Sequence, residues 1–574
     1  MRISSVKSNK NTTYYVIRDI KKDGKRSTET VENLGTGEEI MIKYNCKDAL
    51  AWAREYAKKL TGEEKNSTRK VLVPFLKDTI IDKNTINGVG VGYLFLQQIY
   101  HELKIPSICK KAAKSHSFTY NLDSILSRLI YGRILSPSSK LSCHEYSKSF
   151  YEQPDFDVHH IYRALSVLSL ESDDIQASLY NNSKNIIDRK SGILYYDCTN
   201  YFFETEFEEG LKKYGVSKEH RPSPIVQMGL FIDGSGIPLA FCINDGNKNE
   251  QLSLKPLEQQ IMKDFELSKF VVCTDAGLSS AANRKFNNYG ERSFITTQSI
   301  KGLTKELKDW CLDKDGWQME GSSEIFNLDD IEDMPESRNV TYYKQKYITG
   351  YDEEREIEFN QTLIITFSPK YKSYQSAIRN GQVERALKAI KTPSKLNKSG
   401  QNDYKRFIKK LDEKGKDAAL RYVLNQEVIE KESIYDGFYA VATNLDDDPA
   451  FITKINKGRW KIEESFRIMK SEFKARPVYL KRDDRIKAHF LTCFIALLVY
   501  RLMEKKLDDK YTCDEIIKTL RDMELTRVSD QGYTPHYKRT DITDALHEMA
   551  GFRTDYQLTT EKSMKGICRR SKGL

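Results

Sequence analysis

Hydrophobic positions along the chain change period several times. Residues 13–35 place apolar and β-branched residues on both sides of Lys22-Asp23-Gly24, which predicts a β-hairpin. From about 48 to 190 the apolar positions recur at helical spacing between short polar or Pro-containing breaks, predicting an all-α region. At 191 the pattern turns to short apolar runs bounded by turns. It predicts two strand-like runs in 193–204, a hairpin over 225–244 closed by Asp233-Gly234-Ser235-Gly236, and then helix, strand, helix, strand up to about 299. An antiparallel start that passes into strand-helix alternation predicts a mixed-sheet α/β domain. Between about 300 and 450 strand-like pieces surround a charged helical stretch, residues 376–424, so the α/β domain reads as split by an insertion. Residues 451–477 and 484–506 return to strong helical periods, and 507–574 read as a polar, turn-rich tail.

Length and charge change this picture modestly. At 574 residues the chain exceeds what one core supports, so several packed units are expected. Lys and Arg outnumber Asp and Glu by 92 to 82, a mild excess that permits a polyanionic partner without requiring one. Ten cysteines without a C-x-x-C pair predict buried free thiols rather than a zinc ribbon or a disulfide framework. The N-terminal residues lack the apolar stretch of a secretory signal, and the run Phe490–Tyr500 is about half the roughly 20 residues of a membrane span. A cytoplasmic protein with no membrane partner is the expectation.

Three acids stand out by position. Asp197 ends the apolar run Ile193–Tyr196, and Asp275 ends Phe270–Thr274, so both are expected at carboxyl ends of buried strands. That edge is where ligand sites assemble in open α/β sheets, although Asp is also an ordinary turn and N-cap residue there. The third is Glu463. Ile462, Phe466, Met469 and Phe473 form a buried helical stripe, and Arg459, Glu463, Arg467 and Lys470 run beside it, setting a carboxylate among cations. The spacing alone equally describes a solvated face with favourable i,i+4 pairs.

These residues carry a resemblance. Arg459, Glu463 and Lys470, with Trp460, Ile462 and Phe466, resemble the Tyr-x-x-Arg-x-x-x-Glu-x-x-x-x-x-x-Lys signature of DDE transposases of bacterial insertion sequences, in the superfamily typed by insertion sequence four. Asn456 stands where the signature Tyr would fall. Residues 215–250, with Ser217-Lys218-Glu219-His220-Arg221-Pro222, and the opening Val31–Gly35 are similar to that superfamily's long-transposase branch. The resemblance implies an α/β fold with an RNase H-like catalytic core, a mixed five-stranded sheet with helices. That core would be interrupted by a β-rich insertion and preceded by a small β hairpin unit and an all-α region. The expected organisation is 1–47 N-terminal β unit, 48–190 helical and possible DNA-binding region, 191–300 first part of the core, 301–450 insertion, 451–506 second part of the core with the third acid, and 507–574 tail.

The resemblance also implies a chemistry. Asp197, Asp275 and Glu463 would be the catalytic triad and the ligands of two Mg²⁺ ions, with Mn²⁺ as a substitute, because carboxylates suit hard cations that also bind phosphate oxygens. Arg459, Lys470, Arg467, His220 and Arg221 are the candidate DNA contacts. The expected partners are double-stranded DNA, as transposon ends and target, and a second copy of the chain in the synaptic complex. Between Arg379 and Arg421 thirteen Lys/Arg face five acids, a further candidate phosphate surface. Trp310 and Trp317 could stack on a flipped base, but burial is the plainer expectation for both. A metal-dependent nuclease or resolvase on the same core, and an inactive DNA-binding derivative, stand as alternatives.

Overall fold

A computed structural model describes residues 1–574 except 9–10, 23–24, 68–70, 72, 74–76, 84, 334, 353–356, 392–403, 412–420 and 529–530. Two compact units divide the chain, Met1–Lys83 and Asn84–Leu574.

In the first unit, β1 (Arg2–Lys7), β2 (Thr12–Lys22) and β3 (Lys25–Thr36) form an antiparallel sheet in that order. Lys22 pairs with Lys25, so the expected hairpin register holds. Thr36 and Glu39 cap α1 (Gly37–Tyr44) reciprocally, with Thr36 accepting from the Glu39 N–H and the Glu39 carboxylate from the Thr36 N–H. Helix α2 (Ala49–Ser67) packs on β1 and β2, and Trp52 stacks between Tyr44 and Tyr56. The unit therefore runs past the expected boundary at 47, because α2 packs on the sheet of this unit.

The second unit opens with β4 (Gly88–Gly90) and six helices: α3 (Tyr93–Glu102), α4 (Ile105–Lys114), α5 (Leu122–Leu135), α6 (Lys140–Ser147), α7 (Val158–Leu170) and α8 (Ser172–Ser183). Then follow β5 (Ile193–Phe202), β6 (Ile225–Asp233), β7 (Pro238–Asp245), α9 (Gln251–Asp264), β8 (Phe270–Thr274), α10 (Ala281–Phe286) and β9 (Arg292–Gln298). This is the expected element order, except that the two runs expected in 193–204 form one strand, Ile193–Phe202. The β6–β7 turn is fixed from beneath. Asp233 is fully buried, accepts from the Ser235 and Ile237 amides, and takes the Arg189 Nε–H at 2.5 Å.

The insertion does not stand apart. Its elements are α11 (Lys305–Leu312), β10 (Gln318–Met319), α12 (Leu328–Asp333), β11 (Tyr342–Asp352), β12 (Ile357–Phe367), α13 (Pro369–Ile390), β13 (Ile408–Leu411), β14 (Arg421–Leu424), α14 (Gln426–Ser433) and β15 (Phe438–Thr443). β15 pairs antiparallel with β9, so the five expected strands are part of a nine-stranded sheet, ordered β10-β11-β12-β15-β9-β8-β5-β6-β7. An unpaired β9 edge would leave a row of backbone donors and acceptors open, and β15 satisfies them. Within this sheet, among the described residues, only β5 with β8 and β8 with β9 are parallel. Trp317 is fully buried, donates to the Asp313 carbonyl and packs with Phe367 and Phe438, while Trp310 packs at the edge of the same cluster. For Trp317 the plain expectation of burial holds.

The sheet separates two apolar layers, as a period of two requires. Leu194, Tyr196 and Cys198 of β5 face a cluster with α8 and α9. Tyr195 and Tyr201 face the other side, where α15 (Pro449–Lys457), α16 (Trp460–Arg467), a π-helical turn Ile468–Glu472 and α17 (Asp483–Lys506) lie. The most apolar window of α17 is 94% buried, and the helix packs against α3, α5, α7 and β7. The segment expected as a tail is folded. It comprises α18 (Cys513–Asp522), β16 (Glu524–Val528), β17 (Gly532–Pro535), α19 (Asp541–Ala550) and α20 (Glu561–Ser571). β16 pairs with β4, and Leu546, Phe552, Met564 and Ile567 join the main core. Its apolar residues are spaced for short amphipathic helices that need the α3 surface to be stable. All ten cysteines are free and eight are buried.

Gly458 joins α15 to α16, where an added Cβ would run into the Tyr195 hydroxyl, itself bonded to the Ile455 carbonyl at 3.0 Å. Gly458→Ala should therefore lower unfolding stability by about 1–3 kcal/mol in urea titrations; an unchanged midpoint would mean that this close approach is not needed.

Candidate active site

The parallel pairing of β5 with β8 sets the site. Tyr195 pairs with Cys273, and two residues further along each strand stand Asp197 and Asp275, on the same side of the pleat. Neighbouring strands lie about 4.8 Å apart, so the register brings the two carboxylates side by side. Asp275 does lie at the carboxyl end of its strand and N-caps the turn Ala276–Leu278, its Oδ1 accepting from Leu278 N at 3.0 Å. Asp197 does not end its strand. β5 continues to Phe202 because its other neighbour, β6, pairs through Ile225, so Asp197 sits where β8 stops while β5 goes on. Its Oδ1 accepts from Cys198 N at 2.7 Å.

The carboxylates are costly here. Burial pushes the Asp197 carboxyl up to about 6; Lys218 pulls it down, Asp275 adds repulsion, and the Cys198 N–H and Arg459 partly offset both. Lys218 donates to the Cys198 carbonyl at 2.5 Å and pairs with Glu250 at 3.3 Å. Sequence reasoning passed over Lys218 in favour of its neighbours, although it lies in the same Ser217–Pro222 block.

Glu463 is carried past β5 by α16, which packs on β5 and β6 through Ile462 and Phe466. It is exposed and forms no hydrogen bond or ion pair among the described residues. Its carboxylate does not close onto the two aspartates. The described clusters with three donor atoms within 4.8 Å of one another are Asp157, His159 and His160, and Asp544, His547 and Asp555. Asp157 caps α7, while Arg553 binds both Asp544 and Asp555 and Arg539 reaches Asp544, so structural roles account for these carboxylates.

The candidate cations separate into groups. Lys470, in the π-helical turn, donates to Thr199 Oγ1 at 2.6 Å and lies 3.7 Å from Glu219. Burial and the Lys218 charge lower its ammonium to about 8, and Asp197 opposes them. Arg459 donates to Thr297 Oγ1 at 3.1 Å. Thr297 also bonds the Tyr439 hydroxyl, which accepts from Asn456 Nδ2 at 2.7 Å, while the Asn456 carbonyl accepts from Cys273 Sγ. Asn456, at the signature tyrosine's position, thus reaches a phenol supplied by β15. Arg467 turns outward to Glu464 and Glu472. His220 is exposed in a left-handed conformation, φ 54°, and Arg221 lies over the Phe202 ring at 4.2 Å. Of the basic stretch, Arg379 and Arg406 pair with Asp436 and Glu432; Lys395, Lys398, Lys414 and Lys416 lie outside the described residues.

A family profile described as "Transposase DDE domain" matches residues 202–499, about half the chain. The chain belongs to this transposase family. The matched span includes Asp275 and Glu463 and begins five residues after Asp197. No curated protein matches the transposase. It is similar to a solved chain titled "Cryo-EM structure of piggyBac transposase synaptic complex with hairpin DNA", with 8% identity and a TM-score of 0.36 over 85% of this chain and 86% of that one, too distant a likeness to carry an argument.

The transposase's Asp197 yields a sign-definite expectation. Its folded value of about 6 exceeds the unfolded value near 3.9, so ionisation opposes folding increasingly as pH rises from about 4 to 6 and constantly above. Asp197→Asn should raise the melting temperature of the metal-free protein at pH 7, with the gain shrinking below pH 6. An Asp197→Asn gain that persists unchanged at pH 4 would contradict this origin.

Proposed function

We propose that the transposase cleaves DNA at the terminal inverted repeats of an insertion sequence of the superfamily typed by insertion sequence four and joins the 3′ ends to target DNA. The observation that carries this reading is the pair Asp197 and Asp275 on adjacent parallel strands, with Lys218, Arg459 and Lys470 around them. In this reading the five strands β5 to β9 and their helices are the RNase H-like core, Glu463 is the third acid, and the setting is cytoplasmic.

The donor set fits a hard divalent cation. It consists of carboxylates, and of the thiols nearest in sequence Cys198 faces the opposite side of the sheet while Cys273 is taken up by Asn456. Asp197 and Asp275, joined by Glu463, would hold Mg²⁺, or Mn²⁺ in its place; two such ions supply activation of the attacking oxygen and stabilisation of the leaving one. The protein's own groups do the rest. Burial of Asp197 strengthens its interactions with any cation brought beside it. Lys470, anchored on Thr199, and Arg459, anchored on Thr297, present positive charge to the phosphates flanking the scissile bond. His220 and Arg221 extend that rim along the 215–222 loop. Joining two DNA ends calls for a second copy of the chain in the synaptic complex.

A strand-transfer assay with a pre-cut end and Mg²⁺ tests this. The wild type should join the end to target DNA. Glu463→Gln should lower the rate by more than about 100-fold, since even outer partners of a metal are worth 10–100-fold, while DNA affinity stays within about twofold. Cutting without joining would assign the protein to the nucleases, and wild-type turnover by Glu463→Gln would remove Glu463 from the site.

A further inference from the structure

The segment 474–480, which follows the π-helical turn carrying Lys470, lines a cavity of about 430 Å³, within the roughly 300–1,000 Å³ range of small-ligand sites. Arg133 from α5, Lys140 from the first turn of α6 and His489 from α17 line it, and they are only 5, 6 and 5% exposed. No Asp or Glu is among the described residues lining it. Buried cations ordinarily sit against carboxylates, so this absence needs an explanation.

The hydrogen bonds do not supply one. Arg133 donates to the carbonyls of Phe473 at 3.0 Å, Lys474 at 3.3 Å and Ser138 at 3.3 Å, which are neutral, and its buried Nε–H has no partner. His489 donates its Nε2–H to the Ala475 carbonyl at 3.0 Å, which leaves Nδ1 as an acceptor for Lys140 Nζ at 3.4 Å. Burial and the two neighbouring cations hold His489 well below its ordinary range, so it stays neutral. Burial and Arg133 likewise lower Lys140 to about 8. The two buried cations, Arg133 and Lys140, thus share a cavity whose described lining holds no carboxylate, and the N-terminus of α6, capped by Ser139, adds the positive end of a helix dipole.

The rest of the lining mixes apolar side chains, among them Tyr162, Pro477 and Leu480, with Ser138, Ser139 and two further cations, Lys474 and Arg476. At the rim Arg476 pairs with Glu219, the acid that also approaches Lys470. Glu219 therefore links the cavity's Arg476 to Lys470.

We propose that this cavity is a second phosphate-binding site, in which Arg133 and Lys140 hold a backbone phosphate of the DNA strand near the one being cut, its nucleoside lying against Tyr162 and Pro477. The DNA source rests on the proposed function; the phosphate chemistry does not.

Two measurements on the full chain test it, and neither requires cleavage. In the first, melting is followed with inorganic phosphate against chloride at matched ionic strength: phosphate should raise the wild-type midpoint, Lys140→Gln should lose that shift, and Lys140→Arg should keep it. In the second, affinity for a short DNA duplex is measured against salt: Lys140→Gln should flatten the log–log slope by about 0.9, one phosphate contact, and Lys140→Arg should restore it. Loss of the phosphate shift with an unchanged DNA slope would overturn the DNA source and leave a free-phosphate site. An unchanged shift and slope in Lys140→Gln would overturn the site altogether. If Lys140→Gln fails to fold, competition decides: inorganic phosphate should displace DNA from the wild type more than chloride does, and equal displacement rejects the site. A wild type that fails to join DNA ends but shows both Lys140 effects would overturn the proposed function and leave this site standing.

Discussion

The parallel pairing of β5 with β8 is the constraint around which the catalytic unit is arranged. It holds Asp197 beside Asp275 in a partly buried place, where two carboxylates repel each other and lose water. The fold offsets this with cations at the ends of separate elements: Lys218 from the 215–222 loop, Arg459 at the start of α16 and Lys470 from the π-helical turn. These cannot fully neutralise Asp197, which stays at about 6. A site left electrostatically incomplete is destabilised on its own and stabilised by whatever cation it binds, and this is the usual relation between stability and function at catalytic centres.

The helices over that face of the sheet are fixed by short contacts. Tyr195, two residues before Asp197, bonds the last turn of α15, and Gly458 allows α16 to begin close against it. Thr297 of β9 and Tyr439 of β15 meet Asn456 and Arg459 in one hydrogen-bonded group. The inserted strands therefore reach the site through β15, which both covers the β9 edge and supplies a phenol next to the arginine. An insertion read as a separate module would have no such contact.

Much of this was legible from local pattern. The order of elements from β5 to β9, the opening hairpin and the buried α17 follow from period and turn chemistry, which are written in neighbouring residues. Asp275 sits as its apolar run implies. Asp197 was misplaced because a strand's end is set by its partners: β6 extends β5 through Phe202, and no residue near 197 records that. The β9–β15 pairing joins residues about 150 apart and is invisible to any short window. The C-terminal helices were underestimated because their stripes are short and depend on α3 for burial. Lys218 was missed since only the fold shows which cation in its block turns toward the acids, and nothing near Asn456 in sequence records that Tyr439 of another strand supplies a phenol beside it.

The same field of cations continues past the acids, through Arg476, into the cavity holding Arg133 and Lys140. Positive charge in this protein is therefore not spread evenly over a surface. The most direct measurement of the central claim is an anomalous difference map from crystals of the transposase grown with Mn²⁺. Density is expected between Asp197 and Asp275, with Glu463 drawn in as a ligand. No density at the aspartates, or density only at Asp544, His547 and Asp555, would contradict it.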